Sequence, residues 1–241
     1  MKEIFYVPDV APGASSVSMA GSTARHVSRV LRHRPGDRIM ATDGRGTEFA
    51  LELTAVSSSR VVGRVLGQRL RPREPRRRVA LAQALLRGDK LAQVVEAVTE
   101  LGVSEIIPFV SERTVARLGA TRQRRLQHVA VSGLETSMRT VLPAVGASIA
   151  LDELPLRFSE FERVVVAYEA ERSVSLADLI PAGTSSVLAV VGPEGGFSDG
   201  EIGRLRQAGV GAFSLGPRRL RAETAATVVV ALCLQRLGDL G

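Results

Sequence analysis

The chain has 241 residues, 45% of them hydrophobic, which is enough for the core of one large domain or two small ones. A single cysteine excludes an internal disulfide, and three scattered histidines offer no metal-ligand cluster, so we expect no bound metal. The sequence has neither an apolar run of about 18 residues nor the apolar segment of a signal peptide. We therefore expect a cytoplasmic protein that does not enter a membrane.

The net charge of +7 is unevenly distributed along the chain. Residues 1–78 contain 15 lysines and arginines against 7 acidic residues, whereas residues 79–241 contain 17 against 18. A proline-containing stretch at about residues 69–78 holds six of these arginines: Arg69, Arg71, Arg73, Arg76, Arg77 and Arg78. A solvated linker would explain this stretch by itself. Because the preceding residues share its positive charge, contact with nucleic-acid phosphates is the better explanation.

Residues 1–72 are rich in strand-like segments and turn residues. Strand-like segments lie at residues 38–41, 47–56 and 60–66, and turns that contain glycine and aspartate precede the first two, at residues 34–37 and 43–46. Residues 24–32 have the apolar spacing of a short helix, which leaves three basic side chains on its other faces: His26, Arg29 and Arg32. Several short strands in so few residues predict a small basic β-barrel domain.

Residues 73–241 alternate strand-like and helix-like segments. Apolar runs predict buried strands at residues 79–86, 104–110 and 164–168. Five apolar residues recur at helical spacing before Gly102, which should end their helix: Leu91, Val94, Val95, Val98 and Leu101. A further helix is predicted at residues 122–138. This alternation predicts an α/β domain with a mostly parallel sheet of about five strands.

Two glycine-containing turns, whose first glycines are 24 residues apart, follow the last two predicted strands. The first turn (residues 192–196) lies between the apolar run 187–191 and a helix that should begin at Ser198, because Ser198 and Glu201 have the spacing of a capping box. The second turn (residues 216–224) lies between the apolar run 212–215 and an apolar helix at 225–237. Loops that follow parallel strands meet at one edge of the sheet, where α/β proteins bind ligands.

Glycine-rich turns allow the backbone to approach a nucleoside closely and to read it through N–H and C=O groups. The chain has neither the dinucleotide-binding glycine pattern nor a P-loop lysine motif, so those nucleotide classes are not indicated. Two tight turns without a ligand are the alternative. The candidate ligand-binding residues are Val191, Gly192, Pro193, Glu194, Gly195, Gly196, Leu215, Gly216, Pro217 and Leu220.

These turns resemble those of a known family. The stretches Gly192-Pro193-Glu194-Gly195-Gly196, Leu215-Gly216-Pro217 and Leu220-Arg221-Ala222-Glu223-Thr224-Ala225 are similar to motifs of the RsmE family, 16S ribosomal RNA uridine N3-methyltransferases of the SPOUT (trefoil-knot) class. The stretch from His26 to Arg32, with Pro35-Gly36-Asp37 and Asp43-Gly44, resembles the PUA-like RNA-binding domain of that family. The resemblance covers nearly the whole chain.

The resemblance implies a PUA-like RNA-binding β-barrel at residues 1–72 and a SPOUT α/β methyltransferase domain at residues 73–241, with a trefoil knot. It implies S-adenosylmethionine (SAM) as the cofactor, the 16S rRNA of the small ribosomal subunit as the partner, and a homodimer whose active site is completed across the interface. The basic residues named above would then hold the RNA. Without the resemblance, strand and helix patterns would not predict a knot, because threaded chains are rare.

The resemblance also implies catalytic roles. Methyl transfer to uridine N3 leaves negative charge on O2 and O4, which Arg221 would stabilise, while Glu223 or water would accept the proton. An acid in the first turn of a helix is favourable without catalysis, so Glu223 has a simpler explanation too. Arg139 aligns with an arginine of the family and would contact RNA or the active site, although Thr136 replaces a usual glutamine. Alternatively, Arg139 satisfies carbonyls at a helix end.

Two alternatives to uridine N3 methylation stay open. A SPOUT methyltransferase could act on another RNA base, and a non-catalytic rRNA-binding assembly protein could retain the same fold. Glu194 is equally open, because its carboxylate could bind a ligand or satisfy backbone N–H groups of the following helix.

Overall fold

The computed structural model describes residues 3–240 and divides the chain into two compact units. The first unit ends at Glu74 and also includes Leu134–Leu142. The second unit comprises Pro75–Gly133 and the chain from Pro143 onwards. The boundary therefore lies two residues after the predicted one, and Leu134–Leu142, which we assigned to the second domain, belongs to the first unit.

The first unit contains a five-stranded sheet. Its strands are β1 (Ile4–Tyr6), β2 (Ser16–Ala20), β3 (Arg38–Thr42), β4 (Thr47–Val56) and β5 (Arg60–Leu70), and helix α1 (Gly21–Arg25) continues into a π-helical turn, His26–Val30. The strand order is β1-β3-β4-β5-β2, with β1 parallel to β3 and the other pairs antiparallel. All five strands and α1 contribute side chains to one apolar core, as expected of a small β-barrel.

The linker between the two sheets is shorter than the predicted range, residues 69–78. Arg69 and Leu70 belong to β5, and Arg78 is the first residue of the next strand. Both ends of the stretch are therefore held in hydrogen-bonded sheets, and only residues 71–77 connect them.

The second unit contains a parallel sheet. Its strands are β6 (Arg78–Ala84), β7 (Glu105–Val110), β8 (Ala144–Val145), β9 (Ile149–Ala150), β10 (Arg163–Ala167), β11 (Ser186–Val191) and β12 (Gly211–Phe213). The order is β12-β10-β11-β6-β7-β8, with β9 also paired to β7, and every pair is parallel. The five predicted strands are confirmed, and two strands of two residues each extend the sheet. The trefoil knot stays a prediction, which strand pairing alone does not test.

The remaining helices are α2 (Lys90–Leu101), α3 (Ala120–Thr136), α4 (Leu176–Leu179), α5 (Asp199–Gln207) and α6 (Ala222–Arg236), with a 3-10 helix at Leu151–Glu160. Gly102 ends α2 as predicted, with φ of +114°. The capping box at Ser198 is also confirmed, because Ser198 Oγ accepts from the N–H of Glu201 and the Glu201 carboxylate accepts from the N–H of Ser198. Among residues 3–240, no helix has the length and apolar composition needed to cross a bilayer.

Candidate active site

A cavity of about 1010 Å³ opens where strands β10, β11 and β12 of the second unit end. The two glycine turns form much of its wall, because both follow the carboxyl ends of parallel strands. All ten candidate ligand-binding residues line this cavity: Val191, Gly192, Pro193, Glu194, Gly195, Gly196, Leu215, Gly216, Pro217 and Leu220. The spatial convergence of the two turns, predicted from their place after parallel strands, is thus observed.

The first turn needs glycine at two positions for steric reasons. A Cβ on Gly192 would lie 3.0 Å from the ring of Phe197, which is buried in the core. Gly196 has φ of +67°, and a Cβ there would lie 3.0 Å from Oε1 of Glu169. Any larger residue would therefore strain the turn or displace its neighbours.

Glu194 ties the first turn to the loop after β6. Its Oε1 accepts from the backbone N–H of Arg87 at 3.1 Å and from Nζ of Lys90 at 3.3 Å. Burial raises the pKa of this carboxyl, but backbone hydrogen bonds and the Lys90 ammonium outweigh burial and lower the pKa below its ordinary value. Ser198 and Glu201 cap the following helix, so Glu194 is not its cap.

The second turn carries positive charge into the cavity wall. Gly216 has φ of +100°, and its N–H donates to Oγ of Ser214 at 3.2 Å. Three exposed arginines of this turn line the cavity and form no ion pair within residues 3–240: Arg218, Arg219 and Arg221. Arg221 is the N-cap residue of α6, which begins three residues earlier than predicted.

Of the three predicted catalytic residues, only Arg221 lines the cavity. Glu223 lies in the first turn of α6, and its Oε2 is buried with no hydrogen-bond partner among the described residues. Arg139 belongs to the first unit and is 3% exposed, with Nη2 2.7 Å from Oε2 of Glu74. The prediction that Arg139 contacts substrate is corrected on this ground, because a buried guanidinium bound to a carboxylate has no surface for RNA.

The predicted RNA-binding residues fall into two groups. Arg69 and Arg73 both bind the carboxylate of Glu48, which is 1% exposed, and Arg78 binds Glu105 and lies over the ring of Phe161. These three arginines are paired with acids but keep part of their side chains exposed, so their contact with RNA stays a prediction. The other six are exposed like Arg69 and Arg73 but form no ion pair in the part of the chain that the structure describes: His26, Arg29, Arg32, Arg71, Arg76 and Arg77.

Sequence reasoning missed several residues of the site. Glu169 is the second residue after β10 and lines the cavity, and its carboxylate forms no hydrogen bond within residues 3–240. The other polar or charged lining residues that we did not predict are Lys90, Tyr168, Arg172, Ser214, Arg218 and Arg219. For Tyr168 and Glu169, the available signal in the sequence was their position at the carboxyl end of a parallel strand.

Gln83 supports the first turn from inside the protein. It is fully buried, and its Nε2 donates to the carbonyls of Val191 at 3.4 Å and Gly192 at 3.2 Å. A polar residue within the apolar strand at residues 79–86 was the signal that could have revealed it. Its amide orients carbonyl groups at the point where β11 becomes the first turn.

Known protein families match each of the two units of the chain. A family model described as RNA methyltransferase domain matches residues 72–234, and another, described as RNA methyltransferase PUA domain, matches residues 20–66. The ribosomal RNA small subunit methyltransferase E of Bacillus subtilis is 33% identical over 88% of this chain and 87% of its own length. The protein of the same name from Mycobacterium tuberculosis is 30% identical over 94% and 89%.

Solved structures extend this likeness to the whole fold. A ribosomal RNA small subunit methyltransferase E from Neisseria gonorrhoeae, bound to S-adenosyl methionine, matches with a TM-score of 0.90 and 30% identity over 98% of each chain. A Legionella pneumophila structure in complex with SAM matches with a TM-score of 0.88 and 27% identity, again over 98% of each chain. From these matches, which cover both domains, the chain belongs to the RNA methyltransferase family of the ribosomal RNA small subunit methyltransferases E.

Proposed function

We propose that this protein transfers a methyl group from SAM to N3 of a uridine in the 16S rRNA of the small ribosomal subunit. The observation that carries the proposal is the cavity between the two glycine turns, in a chain whose relatives are rRNA methyltransferases. The protein would act in the cytoplasm, where bacterial ribosomes are made.

The cavity fits SAM in size and chemistry. Its volume of about 1010 Å³ is at the upper end of the range for small-molecule sites, which leaves room for a nucleobase beside the cofactor. The glycines of both turns expose backbone N–H and C=O groups that can bind adenine without side chains. The Glu169 carboxylate, beside Gly196, would complement the cationic sulfonium and ammonium groups.

Bound SAM supplies an electrophilic methyl group on a positively charged sulfur. The residues of this chain have to hold the uridine ring so that N3 lies in line with the S–CH3 bond. As the N3 proton leaves, negative charge spreads over O2 and O4, and the Arg221 guanidinium stabilises it. We assign the proton to water, because Glu223 does not line the cavity, Glu194 is bound to Lys90, and the Glu169 carboxylate is assigned to the cationic groups of the cofactor.

We also propose a homodimer. Helix α6 keeps apolar side chains that are only half-buried in one copy, Val228, Ala231 and Leu232, and a second copy would cover them. The first unit would hold RNA through its exposed basic residues, His26, Arg29, Arg32 and Arg71, and the start of the second unit would add Arg76 and Arg77.

The test of the proposed function is a methylation assay. The protein is incubated with labelled SAM and small ribosomal subunits that lack the modification, and the labelled nucleoside is identified by mass spectrometry. We expect label on N3 of a single uridine. Label on ribose or on another base would contradict the target. Binding of SAM and subunits without any transfer would instead favour an rRNA-binding assembly protein.

Cofactor binding should depend on Gly196. In Gly196→Ala, the new Cβ meets Glu169 at a positive φ that costs alanine about 1–2 kcal/mol, so we expect the Kd for SAM, measured by calorimetry, to rise about 10-fold. Gly203→Ala in α5 is the matched control, because a Cβ there meets nothing within 4 Å and φ is not positive. It should leave the Kd unchanged. Equal SAM affinities in the two variants would mean that the first turn does not shape the cofactor site.

A further inference from the structure

The second turn concentrates positive charge that no acidic residue among residues 3–240 neutralises. The other basic residues of the cavity wall are engaged, since Lys90 pairs with Glu194 and Arg172 donates to backbone carbonyls. Arg218 and Arg219 are exposed and form no ion pair within residues 3–240. This charge is local, because residues 79–241 as a whole carry no excess of basic residues.

The position of these two arginines is electrostatically unfavourable in the protein alone. They lie just before α6, a helix of 15 residues whose amino-terminal end carries partial positive charge. Arginines are normally favoured at the opposite end of a helix. An anion bound between the turn and the helix end would reverse the sign of the interaction, so this arrangement indicates a negatively charged ligand.

The geometry places this charge beside the cavity. Pro217 restricts the backbone of the turn, and Nη2 of Arg218 lies 3.9 Å from the point that a Cβ on Gly216 would occupy. The guanidinium therefore folds back over the backbone of the second turn. Arg219 follows it in the same exposed wall segment.

We propose that Arg218 and Arg219 bind the phosphates that flank the target uridine. The side chains of the second turn then bind the RNA while its backbone lines the cofactor cavity. This inference rests on the proposed function. SAM has one carboxylate and two cationic groups, whereas a nucleotide inserted into the cavity brings a phosphate on either side. A base that is methylated on its Watson–Crick edge has to leave its stack, and clamping the flanking phosphates holds it in the site.

The second turn then has two roles, RNA binding and catalysis. Arg218 and Arg219 contribute binding that is equal in the ground state and the transition state, so they affect KM for RNA. Arg221 acts on the base and affects kcat. The second unit then contributes to RNA affinity directly, in addition to the basic residues of the first unit.

The double variant Arg218→Gln/Arg219→Gln tests this. Initial rates of methyl transfer to methyl-deficient small subunits are measured over a series of salt concentrations, and SAM affinity is measured by calorimetry without RNA. We expect KM for subunits to rise about 10-fold and the salt slope of log kcat/KM to become shallower by roughly 1 to 2, with kcat and the Kd for SAM unchanged. Arg124→Gln, an exposed arginine of α3 without an ion pair in the described residues, is the matched control and should change none of these quantities.

Two results would overturn the inference. A higher Kd for SAM in the double variant would assign the arginines to the cofactor carboxylate, and an unchanged KM and salt slope would remove them from RNA binding altogether. If the wild-type protein methylates no subunit, filter binding of wild type and double variant to small subunits provides a readout that is independent of transfer. Equal subunit affinity in that assay would contradict the phosphate contact, whereas weaker binding of the double variant would support it although the proposed function had failed.

Discussion

Replacing Arg221 by alanine is expected to lower kcat for methyl transfer by about 100- to 1,000-fold, the usual effect of removing one donor that stabilises a developing anion. The guanidinium lines the cavity at the N-cap of α6 and pairs with no acid within residues 3–240, so it is available to O2 or O4 of the uridine. Its side chain forms no capping hydrogen bond, so alanine should leave the helix intact. KM for small subunits and the Kd for SAM should remain within about 2-fold.

A matched set of variants separates catalysis from charge alone. Arg221→Lys keeps the positive charge but loses the planar fork, so it should recover part of the rate. Arg124→Ala removes an exposed arginine of the same unit and should have the rate of the wild type. Arg221 favours the ionised form of the uridine imide. Its removal should therefore shift the increase of kcat with pH to higher pH values. An unchanged kcat with a weakened KM would contradict the catalytic assignment and make Arg221 another phosphate contact.

The parallel sheet and its turns were predictable because their signals are local. A continuous apolar run marks a buried strand, a capping box marks the start of α5, and Gly102 marks the end of α2. Parallel strands then bring successive loops to one edge without any further information. This is why all ten predicted cofactor residues line the cavity.

The strands β1 and β2 were not predictable in the same way. Ser16–Ala20 does alternate inward and outward side chains, but only Val17 and Met19 are buried, in a segment rich in serine and alanine. Its pairing partner is β5, whose paired residues lie 40 to 48 positions further along the chain. Such short strands acquire their structure from non-local pairing, which local patterns do not contain.

The pairing of arginines with distant acids is the part of the site that the sequence could not reveal. Arg69 binds Glu48 across the β4–β5 strand pair, Arg73 binds the same carboxylate from the connecting segment, and Arg139 binds Glu74, 65 residues earlier. A basic residue in sequence is equally compatible with a solvent-exposed contact for RNA and with a buried ion pair. Only the fold reveals which carboxylate lies beside it.

The largest effect on stability is expected at Glu74. Its side chain is 1% exposed and accepts hydrogen bonds from the Arg139 guanidinium, from the N–H of Thr140 at 2.7 Å and from the N–H of Val141 at 3.0 Å. Glu74→Ala removes the acceptor for all of these donors and should lower the free energy of unfolding of the first unit by about 3–5 kcal/mol. Urea unfolding and amide hydrogen exchange in β3 and β4 measure it. Glu52→Ala, which breaks the exposed pair with Arg64 in the same unit, should cost about 0–1 kcal/mol.

The pH dependence of the unfolding free energy provides an independent test of the interaction between Glu74 and Arg139. Burial raises the pKa of Glu74, but hydrogen bonds from Arg139, its positive charge and the backbone of Thr140 and Val141 outweigh burial and lower the pKa below its ordinary value of 4.5. The stabilisation is therefore complete above that ordinary value and is lost as the pH falls through the lower folded pKa. The difference in unfolding free energy between wild type and Glu74→Gln should shrink as the medium is acidified below about pH 4.5. A difference that stays constant or grows on acidification would mean that the carboxylate is not the ionised partner of Arg139, and it would reopen the assignment of Arg139 to RNA.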